Sequence, residues 1–197
     1  MIAFIRSGSR AATAARRIGG GTLVLALVAA AHLGALELTG NFHAVVPGSL
    51  YRSAQPTASD IARYRAAHGI RTIVNLRGAN AGSPWYDAEI AEAKHLGIAH
   101  LDFRMSAKRE LTQGAAADLI QLLERAEKPV LIHCNWGADR SGLAAALYVA
   151  AVAKLGEAAA EDQFSLRYGH LSLPVVAAYA MDRTFEALEP WLGFPDS

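Results

Sequence analysis

The chain has 197 residues, 52% hydrophobic and 19% charged, with a formal net charge of +1. That length supplies one full hydrophobic core and is short for two. Four arginines (Arg6, Arg10, Arg16, Arg17) gather at the amino end and the remainder has a slight acidic excess, so nothing resembles the basic face that nucleic acid demands.

In chain order, residues 1–17 form a basic segment and residues 18–37 an apolar one, ahead of a domain over 42–197. Ile18 to Leu36 holds no formal charge, and as a helix would span roughly 28 Å, close to a bilayer core. Arginines before it predict a membrane anchor with the amino terminus inside and the domain extracytoplasmic (periplasmic). A cleaved signal peptide that releases the domain is the alternative, since Ala29-Ala30-Ala31 follows an apolar run.

Phe42 to Val46 and Leu50 to Arg52 read as short strands around Pro47-Gly48, and Thr57 caps a helix with Asp60 three residues on. Ile70 to Leu76 is the next strand. Ser83-Pro84 opens a helix to about Leu96, Ile98 to Phe103 is a strand, and Thr112 starts a helix to about Glu127 with Ala116, Leu119, Ile120, Leu122 and Leu123 as its buried stripe. Pro129 to His133 reads as a buried strand and Ser141 to Leu155 as an Ala/Leu-rich helix. Helices from about Glu157 to Tyr168 and Leu173 to Leu192 close the chain. This alternation predicts an α/β fold, a mostly parallel central sheet flanked by helices on both faces, with the site at the carboxyl end of its strands.

Between the last strand and its helix stands His133-Cys134-Asn135-Trp136-Gly137-Ala138-Asp139-Arg140-Ser141-Gly142. A loop from strand to helix turns unpaired N–H groups and the positive end of the helix dipole toward one point, which favours an anion and favours the only cysteine as thiolate. Arg140 has a planar, permanently charged fork for two phosphate oxygens. Gly137 and Gly142 permit the turns and close approaches such a loop needs. The Ser141 hydroxyl is placed to donate to the Cys134 sulfur, and His133 to orient the loop.

These ten residues match without a gap the signature H-C-x5-R-[ST]-G, and the chain resembles the cysteine-dependent protein tyrosine and dual-specificity phosphatase superfamily. Gly48 to Pro56 and Gly69 to Arg77 look like the opening of its small bacterial dual-specificity-like members. The resemblance implies a dual-specificity-phosphatase-like fold and a phosphomonoester hydrolase in which Cys134 forms a phosphocysteine, Arg140 clamps the phosphate, and the amides from Asn135 through Trp136, Gly137, Ala138 and Asp139 to Arg140 cradle it. It implies a phosphorylated protein or small phosphoester as substrate, phosphoinositides included, and no metal or organic cofactor.

Three other readings stand beside it: a lone cysteine as a small buried hydrophobe, a rhodanese-type sulfurtransferase, and a phosphate-recognising module without turnover. The family's general acid, an aspartate from a loop before the signature, has no obvious counterpart in Leu101 to Glu110. Asp102 alternates with Leu101 and Phe103 near the end of its strand, pointing away from the apolar face and too early in the chain to reach the pocket. That leaves Glu110 and Asp139 as candidates, the latter placed like the loop aspartate of some inositol-lipid phosphatases. Arg104, Lys108 and Arg109 beside the cleft favour a polyanionic substrate. Arg167 is a candidate to support the loop from behind, against a plain helix-terminus role. Trp136 either governs access or covers apolar surface.

Overall fold

The structure, a computed structural model, describes residues 27–195. Five strands form one sheet: β1 (His43–Val46), β2 (Leu50–Ser53), β3 (Thr72–Asn75), β4 (Ala99–Asp102) and β5 (Val130–His133), in the order β1-β2-β5-β3-β4. Only β1 runs antiparallel, pairing with β2 across a tight turn whose Gly48 has φ +76°. The other pairings are parallel, as expected. Successive side chains of a strand face opposite sides, so each buried strand feeds two cores. Leu50, Val74, Val130 and Ile132 pack with α4 (Gln113–Arg125), α5 (Asp139–Leu147) and α7 (Ala180–Leu192). Tyr51, Ile73 and Leu131 pack with α2 (Ala58–His68) and α3 (Pro84–His95) on the other face.

Local chemistry sets the helix ends. Thr57 and Asp60 make the expected reciprocal capping box on α2, and Gly69 ends it at φ +70°. Pro84 occupies the first turn of α3. From Ser141 to Leu147 every residue of α5 is buried, the environment an Ala/Leu helix without a polar face requires. It ends at Leu147, well before the expected Leu155, passing into a single π turn over Tyr148–Val152.

The carboxyl-terminal elements depart most from expectation. In place of one helix over 157–168 the chain makes α6 (Glu157–Glu161) and two 3-10 turns, Asp162–Phe164 and Leu166–Tyr168, parted by an extended Ser165. The helix expected from Leu173 begins as α7 only at Ala180: the chain before it runs largely exposed to a 3-10 turn at Ala177–Tyr179, and Pro174 keeps the residue before it out of helical geometry.

The basic segment and the expected apolar span lie outside the described residues up to position 26. Of that span's described part, residues 27–38 form α1, and among the described residues no helix is long and apolar enough to cross a membrane. α1 leaves Leu27, Val28, Leu33 and Leu38 exposed and touches the domain where His32 Nε2 donates to the Leu166 carbonyl at 2.9 Å.

Parallel register aligns the strand ends: Ser53 and Asn75 both sit opposite His133, and Asn75 opposite Asp102. The loop after β5 therefore rises at the centre of the sheet's carboxyl edge, between the loops after β2 and β3.

Candidate active site

Four successive carbonyls of the loop after Cys134 are tied down from outside it. The Asn135 oxygen accepts from the Gln55 amide at 3.3 Å, and the Trp136 oxygen from Asn41 Nδ2 at 2.8 Å. Arg52 Nη2 reaches the Gly137 and Ala138 oxygens at 2.9 and 2.7 Å. A trans peptide sets each N–H opposite its C=O. The amides of Trp136, Gly137, Ala138 and Asp139 therefore face inward, where the positive end of α5 adds to their field. Gly137 has φ +70°, and a Cβ there would fall 2.6 Å from the Ala54 nitrogen, so only glycine fits.

Arg52 is fully buried. Besides the loop carbonyls it donates to the Gln163 backbone oxygen at 2.9 Å and lies 4.1 Å above the Tyr168 ring. Burial pulls its pKa down to about 10, which still leaves a cation at neutral pH. Of the two roles open to Arg167 in the sequence, supporting the loop from behind and a plain helix-terminus role, the first is not filled by it. Arg167 is instead exposed, stacked 5.4 Å from the Tyr168 ring, and the guanidinium behind the loop comes from β2. The sequence offered only an arginine at the end of the short strand expected over Leu50 to Arg52; that every position of this strand is buried, so that a charge there must be paired, is seen in the structure.

Cys134 lies at the base of this loop, 2% exposed. Arg140 lines the cleft above it, and its Nε is buried without a hydrogen-bond partner. The expected Ser141 bond to sulfur is not formed: Ser141 Oγ is buried and also unpartnered. His133 is held at the loop's start by two hydrogen bonds. Its Nε2 donates to Glu89 Oε1 at 2.9 Å, and its backbone oxygen accepts from the Leu76 amide.

Glu89 is a buried carboxylate that also receives His100 Nε2 at 2.7 Å and Gln55 Nε2 at 2.5 Å. Burial alone raises its pKa, but the bonds from His100, His133 and Gln55 bring it down to about 2. Gln55 passes the order outward: its Oε1 accepts from Arg77 Nη1 at 2.7 Å, and Arg77 stacks 3.6 Å over Trp85 at the cleft.

At the other end of the loop the pattern is inverted. His170, buried, meets Asp139 Oδ1 through Nδ1 and Asp182 Oδ2 through Nε2, both at 2.8 Å. None of Asn41, Glu89, His170 or Asp182 stood out in the sequence, because each acts through a partner distant along the chain.

The cleft has a volume of about 600 Å³ and is lined by Arg77, Arg104, Lys108 and Arg140, with Asp139 its one carboxylate among the described residues. Of the predicted basic residues, Arg104 and Lys108 reach it and Arg109 does not. Trp136, 63% exposed, forms part of its rim beside Val176, Ala177 and Ala178. Glu110 is not brought to the cleft: it pairs with Arg183 Nε at 2.6 Å on the outer surface of α7. Asp102 is held below it, accepting from Tyr86 and Asn75. Among the described residues no group of three or more His, Cys, Asp and Glu is arranged to hold a metal ion.

Residues 39–181 match a family model described as Swiss Army Knife protein, DSP-PTPase phosphatase domain. The crystal structure of P. aeruginosa TpbA is similar at 25% identity, covering 79% of this chain and 92% of that one, with a TM-score of 0.61. A Cys-to-Ser variant of TpbA in complex with pTyr aligns at 23% identity over 81% and 93%, TM-score 0.58. The core catalytic domain of the PP-IP phosphatase SIW14 from S. cerevisiae shares the fold at 20% identity over 79% and 94%, TM-score 0.56.

Proposed function

The chain belongs to the DSP-PTPase phosphatase family and is a cysteine-dependent phosphatase, and from that premise we propose that it hydrolyses phosphomonoesters in two steps through Cys134. In the first, the Cys134 sulfur attacks phosphorus, an S–P bond forms, and the P–O bond to the alcohol breaks. Asp139 gives its proton to the departing oxygen. In the second, water attacks phosphorus, returns a proton to Asp139 and expels the thiolate, releasing inorganic phosphate.

The observation that carries this reading is the set of four outward carbonyls, since the inward amides they imply meet the negative charge on the phosphoryl oxygens in both transition states. Arg140 adds a guanidinium with an unpartnered buried Nε beside them. Asp139 is chosen over Glu110 because it lines the cleft and Glu110 is bound to Arg183.

Four cations against one carboxylate favour a substrate with a second anionic group near the scissile phosphate, as in a multiply phosphorylated small molecule or an acidic phosphopeptide. Turnover of p-nitrophenyl phosphate by the wild type and its loss in Cys134→Ser test the activity. A phosphate-binding module without turnover would show neither. For the substrate, bis-phosphorylated compounds should exceed mono-phosphorylated ones in kcat/KM by about tenfold at low salt, and equal values would refute the second-anion reading. The arginine-flanked apolar run at 18–36 supports membrane anchoring with the domain outside, which protease accessibility of intact cells and spheroplasts checks.

A further inference from the structure

His170 is a buried titratable side chain that the two-step reaction does not itself use. It lies in the loop just after the 3-10 turn Leu166–Tyr168, and both of its ring nitrogens are taken by carboxylates: Asp139 of the phosphate loop on one side, Asp182 of α7 on the other. A carboxylate accepts only, so each contact is a full hydrogen bond when the nitrogen facing it carries a proton. Among the described residues no other charged group bonds to the ring. The Phe164 ring, 5.4 Å away, packs beside it.

We infer that His170, oriented by Asp182, is a positioning residue for Asp139: by donating Nδ1–H to Oδ1 it fixes the rotation of that carboxylate and leaves Oδ2 to exchange protons with the leaving oxygen and the attacking water. The arrangement has the logic of a carboxylate holding a catalytic imidazole with the roles reversed, the imidazole here holding a catalytic carboxylate. Burial lowers the pKa of His170, and its two carboxylates raise it by more, so the doubly protonated ring that serves both contacts is favoured. The same pair pins the cleft wall, because His170 and Asp182 bracket the segment whose Val176, Ala177 and Ala178 face the loop.

The inference rests on Asp139 as the proton donor, and the two fail separately. Rates are measured against pH on an alkyl phosphate for the full chain, for Asp139→Asn, for His170→Gln and for the double variant. If Asp139→Asn loses no more on alkyl than on aryl phosphates, the reading of Asp139 falls. If it does lose more, the inference expects His170→Gln to lower kcat on the alkyl phosphate about tenfold with KM within about threefold, and to move the pH-rate limb that Asp139→Asn removes upward by about one unit, as loss of a neighbouring cation requires. It should add less than twofold to Asp139→Asn.

A His170→Gln profile that superimposes on the wild type, or a loss that multiplies fully with Asp139→Asn, would overturn it. Should His170→Gln not fold, nitrogen NMR of the wild-type imidazole at pH 7.5 decides instead. Both nitrogens protonated, with one losing its proton in Asp139→Asn, supports the inference. A neutral single tautomer in the wild type sinks it.

Discussion

The two ends of the phosphate loop are held by networks that mirror each other. Before Cys134, one carboxylate, Glu89, collects two imidazoles, His100 and His133. After it, one imidazole, His170, joins two carboxylates, Asp139 and Asp182. The first is closed: Glu89 and His133 are buried and neither lines the cleft. The second opens on the cleft through Asp139. The same residue types thus do two jobs, one fixing where the loop starts and the other placing a proton-bearing group at its mouth. Arg52, between them, ties the loop's middle to the core.

The largest expected difference is chemical. Asp139→Asn should slow alkyl phosphates by about 100-fold and activated aryl phosphates by only a few-fold, whose leaving groups need little protonation. Glu89→Gln should lower both substrates by a common factor, measured as the alkyl-to-aryl ratio of kcat. A ratio that moves in Glu89→Gln would break the division between the two ends.

Removal of Arg52 comes next. Arg52→Met leaves the oxygens of Gly137, Ala138 and Gln163 without their donor. Destabilisation by about 3 kcal/mol should follow in urea titration, with phosphate affinity lost in the same variant. Arg52→Lys keeps the charge but not the fork and should recover only part of either.

Stability against pH sharpens the mirror, because the signs differ. Glu89 has a lowered folded pKa, so its contribution is complete above about 4.5 and is lost as pH falls toward about 2, a matter of about 3 kcal/mol. His170 has a raised one, so its contribution is complete below 6.5 and is lost as pH climbs through the folded value. Urea midpoints should therefore decline at both extremes. Glu89→Gln should flatten the acid side and His170→Gln the alkaline side, and a reversed assignment would show the networks misread.

The smallest effect concerns Arg77. Arg77→Gln should reduce kcat/KM for bis-phosphorylated substrates by about fivefold and weaken their salt dependence, read as the slope of log kcat/KM against log ionic strength.

How much of this was legible in the sequence depended on how far each residue acts. The Thr57 box, Pro84, the Val130–His133 strand and the loop from Cys134 to Arg140 carry their reasons within a few positions, and were placed from them. The region after Glu157 was misread because its breaks serve a distant partner: ending α6 at Glu161 exposes the Gln163 carbonyl that Arg52 needs. His170 in turn reads as an ordinary loop histidine until α7 folds back to bring Asp182 beside it. Glu110 had the right charge in the right stretch of chain, yet nothing local revealed that Arg183 would claim it.

The most direct trial of the whole account is to catch the covalent intermediate. Acid quench of the enzyme turning over an aryl phosphate, followed by peptide mass spectrometry, should find a phosphoryl group on the peptide that carries Cys134, with none in Cys134→Ser. A phosphoryl group on another residue, or undiminished hydrolysis by Cys134→Ser, would contradict it.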